Sequence, residues 1–300
     1  MVHAVIHAGL HKTGTSSFQN CCHALRAALI QQGVFYPKHT SINHNELVDQ
    51  PSLDWVDDVV KATRRRTGAS GCLLLSAENL EYNLHEDKPE RIEAALRKAG
   101  VKRMSWVFCF RNPFDAYCSL YGQISTGQNL KAARGILEFG TTGQLIAAKG
   151  YLSLQNRRLT QRFHFDYPTL IKGLRKRLSG QVIGINFSDF TSRAKTPGDL
   201  LIKAITKDTL ALSELKIELP RHRNTSPSRE DIECNYIQRF FGIKNLKDDS
   251  VPSWFQQAVT ARLETRTSQE KMMRRLFKTS FNDWESSVST PEAMIQMLRA

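Results

Sequence analysis

The opening MVHAVIHAGLHKTGTSS constrains the fold more than any other stretch of this chain. The apolar run over 2–8 predicts a buried strand, and Gly9 and Gly14 bracket a short loop. Over 14–32 the apolar residues Phe18, Cys22, Leu25 and Leu29 then recur at helical spacing. Strand, glycine loop and helix in that order put the loop at the strand's carboxyl end. A helix starting there offers unpaired backbone N–H groups and the positive end of its dipole, which suits an anion.

The same grammar recurs downstream. Cys72 to Leu75 runs into Ser76-Ala77-Glu78-Asn79, Met104 to Phe110 runs into Arg111-Asn112-Pro113, and Val182 to Phe187 follows a basic helix over Tyr167 to Leu178. Pro113 suits the first turn of a helix carrying Phe114, Tyr117, Leu120, Tyr121 and Ile124. Strands alternating with helices predict an α/β fold, a parallel sheet of P-loop type flanked by helices, with ligands gathering beyond the strands' carboxyl ends. After about residue 197 the pattern turns helical, broken by the polar, basic stretch Leu219 to Ser228. One domain over 1–300 is therefore expected, with a core over 1–228 that carries the site and a helical cap over 229–300.

Charge narrows the partners. The 300 residues hold 42 Lys and Arg against 29 Asp and Glu, a net +13, which favours a nucleotide, an acidic glycan, nucleic acid or a membrane surface. The basic runs Lys61 to Arg66 and Arg175-Lys176-Arg177 read as solvated faces, and they lack the interleaved aromatic residues of a single-stranded nucleic-acid platform. The six cysteines form no C-x-x-C pair, so buried reduced thiols are expected. With no basic leader before an apolar segment and no run of eighteen apolar residues, a cytoplasmic protein without an integral membrane segment is expected.

The glycine loop departs from the commonest phosphate loop. Its G-x-x-x-x-G spacing is right, yet Lys12 precedes the second glycine and Thr15 occupies the usual lysine place. A nucleoside triphosphatase or kinase needs that lysine, and needs an acid at another strand end to help hold Mg²⁺. Here the third apolar run ends in Arg111. The expected site neutralises anions with side chains and holds no metal.

Lys12-Thr13-Gly14-Thr15-Ser16-Ser17 resembles the 5′-phosphosulfate loop of sulfotransferases that use 3′-phosphoadenosine 5′-phosphosulfate. Phe110-Arg111-Asn112-Pro113, with Ser119 eight residues after Arg111, resembles their 3′-phosphate motif. Phe165-Asp166-Tyr167 and Arg223-Asn224-Thr225-Ser226 resemble later segments of bacterial members, so the resemblance spans roughly 1–228. It implies a cofactor-binding set of His11, Lys12, Thr13, Gly14, Thr15, Ser16, Ser17, Arg111, Ser119 and Arg223. The amides of Thr13 to Ser16 would hold the 5′-phosphate, and Lys12 would contact the bridging oxygen and the departing sulfuryl group. Arg221, Arg223, Asn224 and Ser226 would form a lid strand. The implied reaction moves a sulfuryl group to a hydroxyl of a carbohydrate, glycolipid or small molecule, leaving 3′,5′-adenosine bisphosphate.

The acceptor's proton needs a base within hydrogen-bond reach. Glu78 is the first candidate, since carbohydrate members of that family use a Glu; its rival role is a helix N-terminal acid favoured by the dipole. His44, His11 and His85 are the alternatives. Two other classes stay open, a phosphate-loop nucleotide kinase and a basic nucleic-acid-binding module.

Overall fold

The computed structural model describes residues 1–38, 41–126, 130–137, 139–156, 159–191, 198–206, 227–243 and 252–300. Along the chain run β1 (His3–His7), α1 (Thr15–Ala24), α2 (Arg26–Gln31), β2 (Val34–Phe35), α3 (Glu46–Asp49), α4 (Trp55–Thr67), β3 (Cys72–Ser76), α5 (Lys88–Lys98) and β4 (Arg103–Phe110). Next come α6 (Pro113–Thr126), α7 (Leu130–Leu137), α8 (Phe139–Lys149), β5 (Tyr151–Asn156), β6 (Leu159–His164), α9 (Tyr167–Arg177), β7 (Gln181–Asn186), α10 (Phe187–Thr191) and α11 (Asp199–Ile205). The C-terminal region is helical, with α12 (Arg229–Phe240), α13 (Ser253–Ser280) and α14 (Pro291–Arg299).

The chain divides into two compact units and passes between them more than once. One holds Met1–Arg111, Tyr167–Arg223 and Asp283–Ala300; the other holds Asn112–Asp166 and Asn224–Asn282. Residues 112–166 thus group with 224–282.

The first unit is α/β, with a five-stranded parallel sheet ordered β2-β3-β1-β4-β7. Alternation along β1 explains why helices cover both faces. Ala4 and Ile6 join a core with Val56 and Val60 of α4, Ile92 and Leu96 of α5, and Ile171 and Leu174 of α9. Val5 points the other way, into a core with Phe18 and Cys22 of α1, Leu201 and Ile202 of α11, and Met294 and Leu298 of α14. Parallel strands buried on both faces read as continuous apolar runs, as these do.

Two details depart from the sequence expectations. Where one helix was expected over 14–32, Leu25 interrupts it at φ −90, ψ 5. The hydrogen bonds Leu25 N to Cys21 O and Leu29 N to Leu25 O, both 2.9 Å, carry the ladder across, so α1 and α2 meet at a bend. All six thiols are free, but only Cys21, Cys22, Cys72 and Cys109 are buried, whereas Cys118 and Cys234 are partly exposed.

In the second unit β5 and β6 pair antiparallel, Tyr151 opposite His164. Ala133, Tyr236, Ile237, Phe255 and Val259 form its apolar core. Glu233, fully buried, accepts from Tyr121 Oη (2.9 Å) and Arg262 Nε (2.8 Å). Burying a carboxylate is tolerable when such donors surround it.

Candidate functional site

The site assembles where the sheet's winding reverses. From β1 the chain builds β2 and β3 on one side of it, then returns to lay β4 and β7 on the other, so β1 and β4 flank the switch point. Open parallel sheets leave a crevice beyond the strand ends at that place. The glycine loop leaves β1 there, and Arg111 leaves β4 there. In register His7 faces Ser76 on one neighbour and Val107 on the other, so β4 continues past β1 through Phe108, Cys109 and Phe110 before reaching Arg111.

The loop is tightly specified. Thr13 Oγ1 donates to Leu10 O at 2.5 Å, spanning the turn. Lys12 between them has φ 67, the one positive φ among the described non-glycine residues, and Gly14 follows at φ 80 as the N-cap of α1. No side chain caps α1. Its first-turn N–H groups therefore lack intrahelical partners. Thr15, 2 % exposed, aligns its hydroxyl against Gly9, and Oγ1 has no hydrogen-bond partner. A buried orphan hydroxyl is costly in a native protein, which makes it notable at a helix N-terminus. Ser16 is exposed and Ser17 partly buried.

Beneath the loop lies a polar floor that sequence reasoning missed. Ser76, ending β3, has its Oγ hydrogen-bonded to His7 Nδ1 at 2.9 Å and accepts from Gln19 Nε2 of α1 at 3.2 Å. The His7 ring stacks on Phe190 and meets Phe18 edge-on; burial pushes its pKa down to about 3. His44 belongs to the same floor. Its Nδ1 accepts from Ser76 N (3.0 Å), which leaves Nε2 to donate to Pro37 O (3.1 Å), and its own N–H donates to Ser76 O (2.8 Å). With both ring nitrogens committed to the backbone and burial pushing its pKa down to about 4, His44 acts as a neutral splint between Ser76 of β3 and Pro37. Residues 7, 19, 44 and 76 gave no sequence signal as a group, because only the folded sheet brings them together.

Above the floor, three charged side chains converge. Burial lowers the pKa of the Lys12 ammonium, Glu78 raises it, and the Arg111 cation lowers it again, for a net fall. The Arg111 guanidinium sits 5.1 Å over the Phe187 ring. Among the described residues, none of Lys12, Arg111 and Glu78 has a hydrogen-bond or ion-pair partner. Glu78 opens a 3-10 helix, Glu78–Asn83. Its three-residue repeat puts Glu81 on the same side, and Glu81 Oε2 accepts from both His11 N and His11 Nδ1 at 2.7 Å. His11 Nε2 lies 2.7 Å from Tyr82 Oη. Burial lowers the His11 pKa, but the Glu81 hydrogen bond and charge, helped by Glu78, outweigh it and the net shift is upward. Glu81 and Tyr82 contact the loop through His11 and were not marked by the sequence; their signal was a second acid three residues after Glu78.

Of the remaining expected residues, Ser119 and His85 are described and Arg223 is not. Ser119 is on α6, partly buried, in the second unit. His85 is paired with Glu86 at 3.3 Å. Arg223, with Arg221, Asn224 and Ser226 of the expected lid, falls outside the described residues. Among the described residues no cluster of three or more His, Cys, Asp or Glu side chains could hold a metal ion, and no helix is long and apolar enough to cross a membrane.

No protein-family model matches the chain, and no curated protein matches it in sequence.

Proposed function

We propose that the chain is a sulfotransferase with a P-loop-type nucleotide site, using 3′-phosphoadenosine 5′-phosphosulfate to sulfate a hydroxyl of a carbohydrate, glycolipid or small acceptor. The observation that carries this reading is the position of Lys12. The lysine sits inside the loop, ahead of the uncapped N-terminus of α1, with Arg111 and Glu78 in electrostatic reach and unspent on ion pairs.

Each residue then has a physical task. The first-turn amides of α1 and the Thr15 hydroxyl receive the 5′-phosphate, to which the helix dipole adds partial positive charge. Lys12 opposes the negative charge that grows on the departing nucleotide oxygen as the S–O bond breaks, and a fixed cation in a desolvated site is worth more there than in water. Arg111, planar and permanently charged, suits two-point recognition of the 3′-phosphate. Glu78 takes the acceptor's proton. His44 does not serve as base in this scheme, since both its ring nitrogens are occupied by backbone groups.

Calorimetric titration with 3′,5′-adenosine bisphosphate in EDTA tests the proposal. Tight binding supports it. Binding of ATP that requires Mg²⁺ would favour a kinase, and salt-sensitive binding to RNA or DNA without nucleotide binding would favour a nucleic-acid module. An acceptor screen with labelled donor, read by mass gain of one sulfuryl group, then identifies the acceptor.

A further inference from the structure

The left-handed backbone at Lys12 needs something to hold it. A non-glycine residue is strained there, and such conformations persist only where their surroundings impose them. Thr13 Oγ1 on Leu10 O is one restraint. The stronger one comes from outside the loop. A single carboxylate oxygen, Glu81 Oε2, takes both the backbone N–H and the ring Nδ1 of His11, the residue immediately before Lys12. The side chains are 3 % and 8 % exposed, so water competes little for the contact. Tyr82 completes the clamp. Its ring stacks on the imidazole at 4.7 Å while its hydroxyl meets Nε2.

We propose that Glu81 is the positioning residue of the glycine loop, gripping His11 by amide and ring so that Lys12 is held in its left-handed conformation with its ammonium presented to the bound anion. The proposal rests on the anion-binding reading above. Glu81 touches neither nucleotide nor acceptor; it acts through His11. The clamp also carries charge. While His11 is an imidazolium the His11–Glu81 pair is neutral, and when the ring loses its proton the pair becomes a net negative charge beside the anion site. The groups facing this pair are Glu78 and Tyr82 from the 3-10 helix, Lys12 from the loop, Tyr167 from α9, which lies in the fields of both Glu81 and Arg111, and Asp49, which acts on Tyr82. Burial and Lys12 lower the His11 pKa, but the Glu81 hydrogen bond and charge, with Glu78, outweigh them, so anion affinity should fall as pH rises through that raised value.

The test uses the full chain with Glu81→Gln and Glu81→Ala. Affinity for 3′,5′-adenosine bisphosphate is measured by calorimetry from about pH 5 to 9, a range that spans the ordinary histidine value, and the His11 ring protonation is followed without ligand by ¹⁵N NMR, assigned with His11→Asn. Removal of the charge-assisted contact should weaken the nucleotide by about 10- to 100-fold in Glu81→Ala, with a smaller loss in Glu81→Gln, which keeps one acceptor oxygen for the amide. In Glu81→Gln the pH limb and the ring titration should both move down toward the ordinary histidine value of about 6.5. A purely structural Glu81 would lower thermal stability and leave that limb in place. If Glu81→Ala does not fold, Glu81→Gln decides. Wild type that fails to bind the nucleotide overturns the functional reading and this proposal together. Wild type that binds, with either variant unchanged in affinity and pH limb, overturns the role of Glu81 alone.

Discussion

Gly9→Ala isolates the fit between the two ends of the glycine loop. Gly9 does not have a left-handed φ, so the substitution carries no backbone penalty of that kind. The obstacle is steric. A Cβ on Gly9 would fall inside the contact radius of Thr15 Oγ1 and 3.0 Å from both Thr15 Cγ2 and His7 Cε1. His7 is pinned by Ser76 and two aromatic rings, so Thr15 or the loop must move; overpacking of this kind costs about 1–3 kcal/mol. Thr15→Ala alone should be mild, because it removes a hydroxyl that has no partner and a methyl group worth about 0.8 kcal/mol. In the double variant the two Thr15 contacts are gone and His7 Cε1, at 3.0 Å, remains, so most of the clash is relieved. Urea denaturation of wild type, both single variants and the double variant should give a coupling of at least about 1 kcal/mol in favour of the double. Additivity within about 0.5 kcal/mol would refute the reasoning. If the anion supplies the missing partner of Thr15, Thr15→Ala should also weaken 3′,5′-adenosine bisphosphate about tenfold at nearly unchanged stability, and Thr15→Ser should retain it.

Arg111→Ala should weaken the bisphosphate nucleotide far more than 5′-AMP, because the lost contact belongs to the 3′-phosphate; equal losses in calorimetry would contradict that assignment. Lys12→Ala should cut kcat by about 10²–10³-fold with donor binding less affected, and full activity would end the proposed mechanism. Glu78→Gln should lose roughly 10²–10⁴-fold in kcat without a fall in melting temperature; near-normal turnover with lost stability would assign it to the helix terminus instead. His7 and His44 have folded pKa values depressed to about 3 and about 4, below an unfolded value of about 6.5. Their contribution to stability is thus complete above pH 6.5 and lost as pH falls toward those values, each adding up to about 1.4 kcal/mol per pH unit. His44→Asn should flatten the part of that acid limb above pH 4.

The central sheet was legible because its strands are apolar runs that stop at turn chemistry. VHAVIHA ends at Gly9, CLLLS at Ala77, and MSWVFCF at Arg111-Asn112-Pro113, and each strand ends within a residue or two of those marks. Strand β2 escaped because two residues, Val34 and Phe35, carry no periodicity. The hairpin β5–β6 escaped because YLSLQN and LTQRFH are short and half polar. Within the site, Lys12, Thr15, Glu78 and Arg111 stood out through their places in short motifs. His7, Ser76, Gln19 and Glu81 did not, since their significance is relational: His7 and Ser76 lie 69 residues apart, and His11 and Glu81 lie 70. Local sequence encodes which strand stops where; it does not encode which side chains the stops bring face to face.

The unit that houses the glycine loop also draws on α14, far along the chain from β1, and this sets an order of events during synthesis. Arg103, on the strand beside β1, donates to the carbonyls of Met297 and Leu298, 194 and 195 residues further along the chain, and Arg299 reaches back to the carbonyls of Lys203 and Ala204. β7 must dock on β4 after 112–166 has been made, and α14 must dock after β7. Pairings of such long range close slowly. While they wait, the apolar faces of β1, β3 and β4 stay partly uncovered on the nascent chain, the condition under which large α/β proteins depend on chaperones. The strands that carry the site are thus made early and enclosed late.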